Sequence, residues 1–181
     1  ITKDERKSVL KVFDSNWFTQ GPVTEQLEKK ICQTINCKHA VVVNNGTSAL
    51  ICSLLAHEIG PGDEVIVPSF TFVATVNAII SVGAKPVLVD SNSKTFNTEI
   101  EYIKNKITKK TKAILPVDVS GMPIDIDSFR DFANDHNLTL IQDSAESMGA
   151  IYNHRNVGSF NHTAIFSFHM AKIVAGIEGG C

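Results

Sequence analysis

Short runs rich in β-branched residues recur along the chain: HAVVVN (39–44), EVIVP (64–68), KPVLVD (85–90), AILPVD (113–118), LTLIQD (138–143) and TAIFSF (163–168). Several are apolar at successive rather than alternate positions, so both faces of the strand have to be covered, as in a parallel sheet inside an α/β protein. Between them lie helical patterns at 47–58, 73–81, 98–107 and 127–137, the third opening with the capping-box spacing Thr98-x-x-Glu101. Repeated strand–helix order predicts a three-layer α/β/α unit with a mostly parallel sheet and helices on both faces. Upstream, 4–14 and 23–36 read as amphipathic helices joined by the aromatic loop SNWFTQGP.

A chain of 181 residues that is 43% hydrophobic can bury a sizeable core as one domain. Its 17 basic and 19 acidic residues give a net charge of -2, too balanced for a nucleic-acid or anionic-membrane partner. Cys32, Cys37, Cys52 and Cys181 show neither C-x-x-C spacing nor a His-x3-His companion, so neither a zinc site nor a disulfide framework is expected. The opening ITKDERKSVL lacks the character of a signal peptide, and no apolar run approaches a membrane span. These features together point to reduced thiols and a cytoplasmic protein.

In an open parallel sheet, ligands sit beyond the carboxyl ends of the strands. After HAVVVN comes Asn45-Gly46-Thr47-Ser48, a helix opening whose free N–H groups and hydroxyls suit an anion such as phosphate, or simply a capped turn. After EVIVP comes Ser69-Phe70-Thr71-Phe72, whose rings belong either to the core or against a flat heteroaromatic ligand. Asp143 ends LTLIQD, where a carboxylate caps a turn or holds a proton on a ligand's ring nitrogen. Ser167 ends TAIF with another hydroxyl, and Lys172 follows among Ala171, Ile173, Val174 and Ala175, with no opposite charge nearby in sequence. A desolvated lysine loses proton affinity and becomes a nucleophile toward an aldehyde. A phosphate cradle, a stacking ring, a carboxylate for a pyridine nitrogen and an amine for an aldehyde are the parts of a pyridoxal 5′-phosphate (PLP) site.

The sequence resembles the DegT/DnrJ/EryC1/StrS sugar aminotransferases over its whole length, through NWFTQGPVTEQLE, HAVVVNNGTSAL, GPGDEVIVPSFTFVATVNAI, GAKPVLVD, DSAESMGA and SFHMAKIVAGIEGG in family order. The resemblance implies a fold type I PLP-transferase (aspartate aminotransferase-like) large domain. It also implies transfer of an amino group from an amino acid, commonly L-glutamate, to the keto group of a nucleotide-activated deoxysugar in amino-sugar biosynthesis. Carried over by position, Lys172 corresponds to the catalytic lysine that binds the cofactor's aldehyde, Asp143 to the partner of the ring nitrogen and Phe72 to the stacking aromatic. Thr47, Ser48 and Ser167 correspond to phosphate contacts. Glu146 stands where the family usually has glutamine or histidine near the cofactor's 3′-hydroxyl and the substrate. Gln142 and Asp118 stand where an acid and a histidine are frequent, and neither receives a role.

Family members run to roughly twice this length. The expectation is therefore that residues 1–181 are the N-terminal part of the large domain, cut at both ends, without the small C-terminal domain. The family's active site lies at a dimer interface, so the full-length form is expected to be a homodimer, and an unfinished sheet would leave an exposed edge and apolar surface. The rival readings are a PLP sugar dehydratase of the same fold, in which a histidine usually replaces the lysine, and a truncated non-catalytic chain. A dinucleotide oxidoreductase is disfavoured by the absence of G-x-G-x-x-G after the first run.

Overall fold

The structure, a computed structural model, describes residues 2–181. Ile1, at which the sequence joins the family pattern, lies outside the described residues. Five strands form one parallel sheet: β1 (Glu64–Pro68), β2 (Lys85–Val89), β3 (Thr111–Ile114), β4 (Thr139–Asp143) and β7 (Thr163–Ile165), in the order β2-β1-β3-β4-β7. A small antiparallel hairpin, β5 (Ile151–Tyr152) with β6 (Arg155–Asn156), stands apart from it. The hairpin escapes the sequence reading because its turn, Asn153-His154, lacks the usual glycine; both residues take left-handed φ, 46° and 61°.

Side chains alternate across the sheet and sort into two cores. Val65, Val67, Ala113, Leu115, Ile141 and Ile165 face α3 (Gly46–Ala56) and α4 (Val73–Ser81). Ile66, Val89, Ile114 and Leu140 face α2 (Pro22–Ile35) and α6 (Ile126–Asp135). The helices supply apolar residues from one face: Ala49, Leu50 and Leu54 from α3, and Ile126, Phe129 and Ala133 from α6. This is the expected three-layer arrangement, covered on both faces. Among the described residues, no helix is long and apolar enough to cross a membrane.

Four expectations give way to the structure. Residues 39–44 form no named strand: they touch the sheet through one antiparallel bridge, Val43 to Gly180, and Val41 is 67% exposed. Extended sequence becomes a strand only when a neighbour satisfies its ladder. The run at 113–118 begins two residues earlier and stops as β3 at Ile114, because Pro116 has no N–H to continue the pairing, although Val117 still bridges Asp143. The pattern at 98–107 yields only α5 (Ile100–Ile103), and its capping box does not form. Thr98 donates instead to the Asp90 carbonyl at 2.9 Å and Glu101 pairs with Lys104. A capping box forms at α1 (Lys3–Ser15), between Thr2 and Glu5.

The amphipathic α1 buries none of its residues, and Val9, Leu10, Phe13, Trp17 and Phe18 at α1 and the loop that follows are exposed. The two cores carry the stability. Phe129→Ala, at 1% exposure between α6 and the sheet, is expected to cost about 3–5 kcal/mol. Leu88→Ala, half-exposed on edge strand β2, should cost less than about 1 kcal/mol. Urea unfolding of both variants checks this through the shift in midpoint at constant slope.

Candidate active site

The carboxyl ends of β1, β3, β4 and β7 and the first turns of α3 and α4 surround a cavity of about 740 Å3, within the usual size range of small-molecule sites. Thr47, Phe72, Asp143, Glu146, Ser167 and Lys172 all line it. Ser48 does not; its N–H is held at 2.8 Å by the side chain of Asn45, the N-cap of α3. Phe72 is 76% exposed and belongs to neither core, so its ring is free to cover a ligand.

At one end of the cavity, α3 begins at Gly46 and has no acidic residue in its first turn. Its dipole and unpaired N–H groups favour a negative ligand. Ser167, buried at the end of β7, comes so near that a Cβ on Gly46 would lie 2.9 Å from its Cβ. Glycine therefore lets the helix end and the hydroxyl close on one point.

Asp143 is fully buried. Its Oδ2 accepts from the Thr75 hydroxyl at 2.8 Å and its Oδ1 from the Ala145 N–H at 3.2 Å. Thr75 is in turn 2.8 Å from the Thr71 hydroxyl, which can donate to it while Thr75 donates to Asp143. Burial pushes Asp143 up to about 6; the bonds from Thr75 and Ala145 oppose this, the Asp118 charge adds to it and Lys172 subtracts. A carboxylate has lone pairs for a further donor, so a ring N–H can join these two.

Lys172 corrects one expectation. Its sequence neighbours carry no charge, but Glu146 from the loop after β4 meets it with Oε1 3.0 Å from Nζ, and the lysine side chain is 23% exposed. The amine is therefore neither deeply buried nor without an anion. Glu146 also accepts from the Ser120 N–H at 2.9 Å. Burial raises its pKa, but Lys172 and the Ser120 N–H outweigh that and hold it below the ordinary carboxylate range.

Sequence reasoning missed Thr75 and Ser120. A threonine in the first turn of an apolar helix carries no signal of its own, and Ser120 contributes only backbone from a turn at φ 54°. Asn45, quoted as part of the anion motif, proves to be its cap. Asp118 and Gln142, left without a role, lie fully buried directly behind Asp143.

In architecture this is the fold type I class of PLP-dependent transferases. The chain belongs to the DegT/DnrJ/EryC1/StrS aminotransferase family, whose model matches residues 1–181. DesV of S. venezuelae, solved in complex with a ketimine intermediate, is 36% identical with a TM-score of 0.96 over 98% of this chain and 48% of its own. Spr1654 of Streptococcus pneumoniae, described as a sugar aminotransferase and solved in a PLP form, is 35% identical with a TM-score of 0.92 over 99% and 50%. The GDP-4-keto-6-deoxymannose-3-dehydratase ColD is 33% identical with a TM-score of 0.91 over 98% and 47%. The chain thus spans about half the length of these solved relatives.

The raised Asp143 has a consequence for stability. Its folded pKa of about 6 exceeds its ordinary 3.8, so between those values the folded protein holds more protons than the unfolded chain. Stability contributed at low pH is lost as pH rises through 6. Asp143→Asn removes the ionised carboxylate, and Thr75 can turn its hydroxyl to accept from the new amide. The variant is expected to be more stable than the parent by about 1–3 kcal/mol at pH 7.5. The difference should vanish below about pH 4, in thermal melts of both proteins across that range.

Proposed function

We propose that residues 1–181 are the cofactor-binding, N-terminal part of the large domain of a PLP-dependent aminotransferase. It acts on a nucleotide-activated keto-deoxysugar with an amino acid, L-glutamate for preference, as donor. The observation that carries this reading is the convergence of Lys172, Asp143, Ser167 and the N-terminus of α3 on one cavity. A cytoplasmic homodimer is part of the same proposal.

The residues present fit the cofactor. The Gly46 and Thr47 N–H groups, with the Thr47 and Ser167 hydroxyls, form a donor set for a phosphate dianion, and Ser48 is assigned to the same set by its family position. Phe72 offers an exposed ring for stacking beside Asp143, the only aspartate lining the cavity. When bound, PLP supplies an aldehyde for amines and an electron-accepting ring.

Asp143 orients that ring by accepting its N–H and, held by Thr75 and Ala145, cannot turn away from it. Lys172 would hold the cofactor through its aldehyde, with loss of water, and when free its amine would take up and return a proton at the substrate carbon. To do either it has to leave Glu146, so Glu146 governs when the amine is free. Similarity to ColD keeps a dehydratase in view, and a non-catalytic chain is the remaining rival. The presence of Lys172, where dehydratases of this fold usually carry histidine, favours transamination.

The test is reductive labelling. The purified protein is mixed with PLP, treated with borohydride and mapped by peptide mass. The expected result is the cofactor's mass on the Lys172 peptide and its loss in Lys172→Ala. Label spread over surface lysines, or none, overturns the assignment of this cavity as a site the chain forms by itself.

A further inference from the structure

Behind the cavity floor lies a second buried carboxyl, Asp118, in the turn after β3. Gln142 Nε2 donates to both of its oxygens at 2.8 Å, the Ser144 hydroxyl at 2.8 Å, the Ser147 hydroxyl at 2.6 Å and the Ile124 N–H at 3.0 Å. Burial raises the Asp118 pKa, and these donors oppose it by favouring the carboxylate. These donors bracket Asp143 in sequence: Gln142 precedes it, Ser144 follows it and Ser147 closes the turn.

The backbone is tied at the same place, since the Asp118 N–H donates to the Asp143 carbonyl at 3.0 Å and the Asp143 N–H to the Pro116 carbonyl at 2.9 Å. Because the Gln142 amide nitrogen faces Asp118, its oxygen faces His162, whose Nε2–H donates at 2.7 Å. Burial pulls His162 down to about 4, so the ring is neutral and supplies no positive charge to the network.

We propose, on the PLP reading above, that Asp118 is the positioning residue of Asp143. It fixes the strand end that bears that carboxyl and, as a second negative charge behind it, makes loss of the proton shared with a bound ring nitrogen unfavourable. The other titratable groups around Asp143 are Glu146 from the loop after β4 and His169, Lys172 and Glu178 from the segment after β7; α4 offers the Thr75 hydroxyl and α3 no charge. Of these, Lys172 opposes Asp118, and Lys172 is already engaged by Glu146. The upward displacement of Asp143, caused first by burial and then reinforced by Asp118, has the sign that the arrangement requires.

The experiment is a 13C-carboxyl NMR titration of aspartate-labelled protein without added cofactor, with Asp143 assigned by Asp143→Asn. In the parent, Asp143 is expected to titrate near 6. Asp118→Asn keeps the shape and removes the charge, and should lower the Asp143 midpoint by at least about half a unit. Ser144→Ala removes the least of the Asp118 donors, leaves Gln142, Ser147 and the Ile124 N–H in place, and should not lower it. A purely structural role for Asp118 would reduce the melting temperature of both variants while leaving the Asp143 midpoint unchanged, and that result overturns the proposal.

If Asp118→Asn does not fold, the parent curves decide. Coupled carboxyls move the Asp143 resonance in two steps, one of them at the midpoint of Asp118, and a single ordinary step near 3.8 overturns the proposal. The labelling of Lys172 by PLP is scored separately. A lowered midpoint without labelling upholds the coupling and removes the cofactor reading; an unchanged midpoint with labelling does the reverse.

Discussion

A parallel sheet covered by helices on both faces has one edge to offer to chemistry. Val65, Ile66 and Val67 on β1 and Ile114 on β3 are fully buried, and a polar side chain in that interior would need a partner on the spot. Away from the strand ends, Gln142 on β4 meets that demand: its amide nitrogen is taken by Asp118 and its oxygen by His162. The remaining polar groups of the site are displaced to the strand ends, where the turns bring their own N–H groups. The concentration of Asp143, Glu146, Ser167 and Lys172 at one edge thus follows from the burial of everything behind them.

Within that edge the acids are treated differently. Glu146 is partly exposed, takes one charged donor, Lys172, and one backbone N–H, and sits below the ordinary range. Asp143 is buried, takes two neutral donors, has another carboxyl behind it and sits above its ordinary value. Such an arrangement costs the folded state free energy at neutral pH that a neutral residue would not, a cost that a ligand bearing a ring N–H can offset. Strain of this kind, concentrated at a ligand site, is where stability and function pull apart.

Much of this was legible in the sequence because the governing patterns are local. The unbroken apolar run of β1 marks a strand covered on both faces, the spacing of Ala49, Leu50 and Leu54 fixes the face that α3 buries, and both elements lie close to where the sequence puts them. What the sequence concealed depends on partners remote in the chain. HAVVVN has every local mark of a strand, yet its one β-bridge among the described residues is from Val43 to Gly180, more than a hundred residues later. The neighbourhood of Lys172 read as apolar because Glu146 is 26 residues away. Thr75 reaches Asp143 across 68 residues and Ser147 reaches Asp118 across 29, distances over which no periodicity carries information.

The anion end shows the same limit in the backbone itself. Gly180 pairs with Val43 on one side and Ser167 on the other, tying the entry to α3 to the exit of β7. A Cβ on Gly180 would fall 2.6 Å from the Asn45 carbonyl carbon and 2.8 Å from the Gly46 nitrogen, and one on Gly46 would strike Ser167. Neither residue is forced to be glycine by a left-handed φ, since both are missing from the positive-φ residues; they are glycine because chains from three parts of the sequence meet there. Read alone, Asn-Gly-Thr-Ser is a capped turn and Glu-Gly-Gly a loop. Brought together, they leave a helix end, a hydroxyl and a free space of ligand size with no side chain in the way. That end is therefore built mainly from backbone, and what keeps it open is the absence of two carbon atoms.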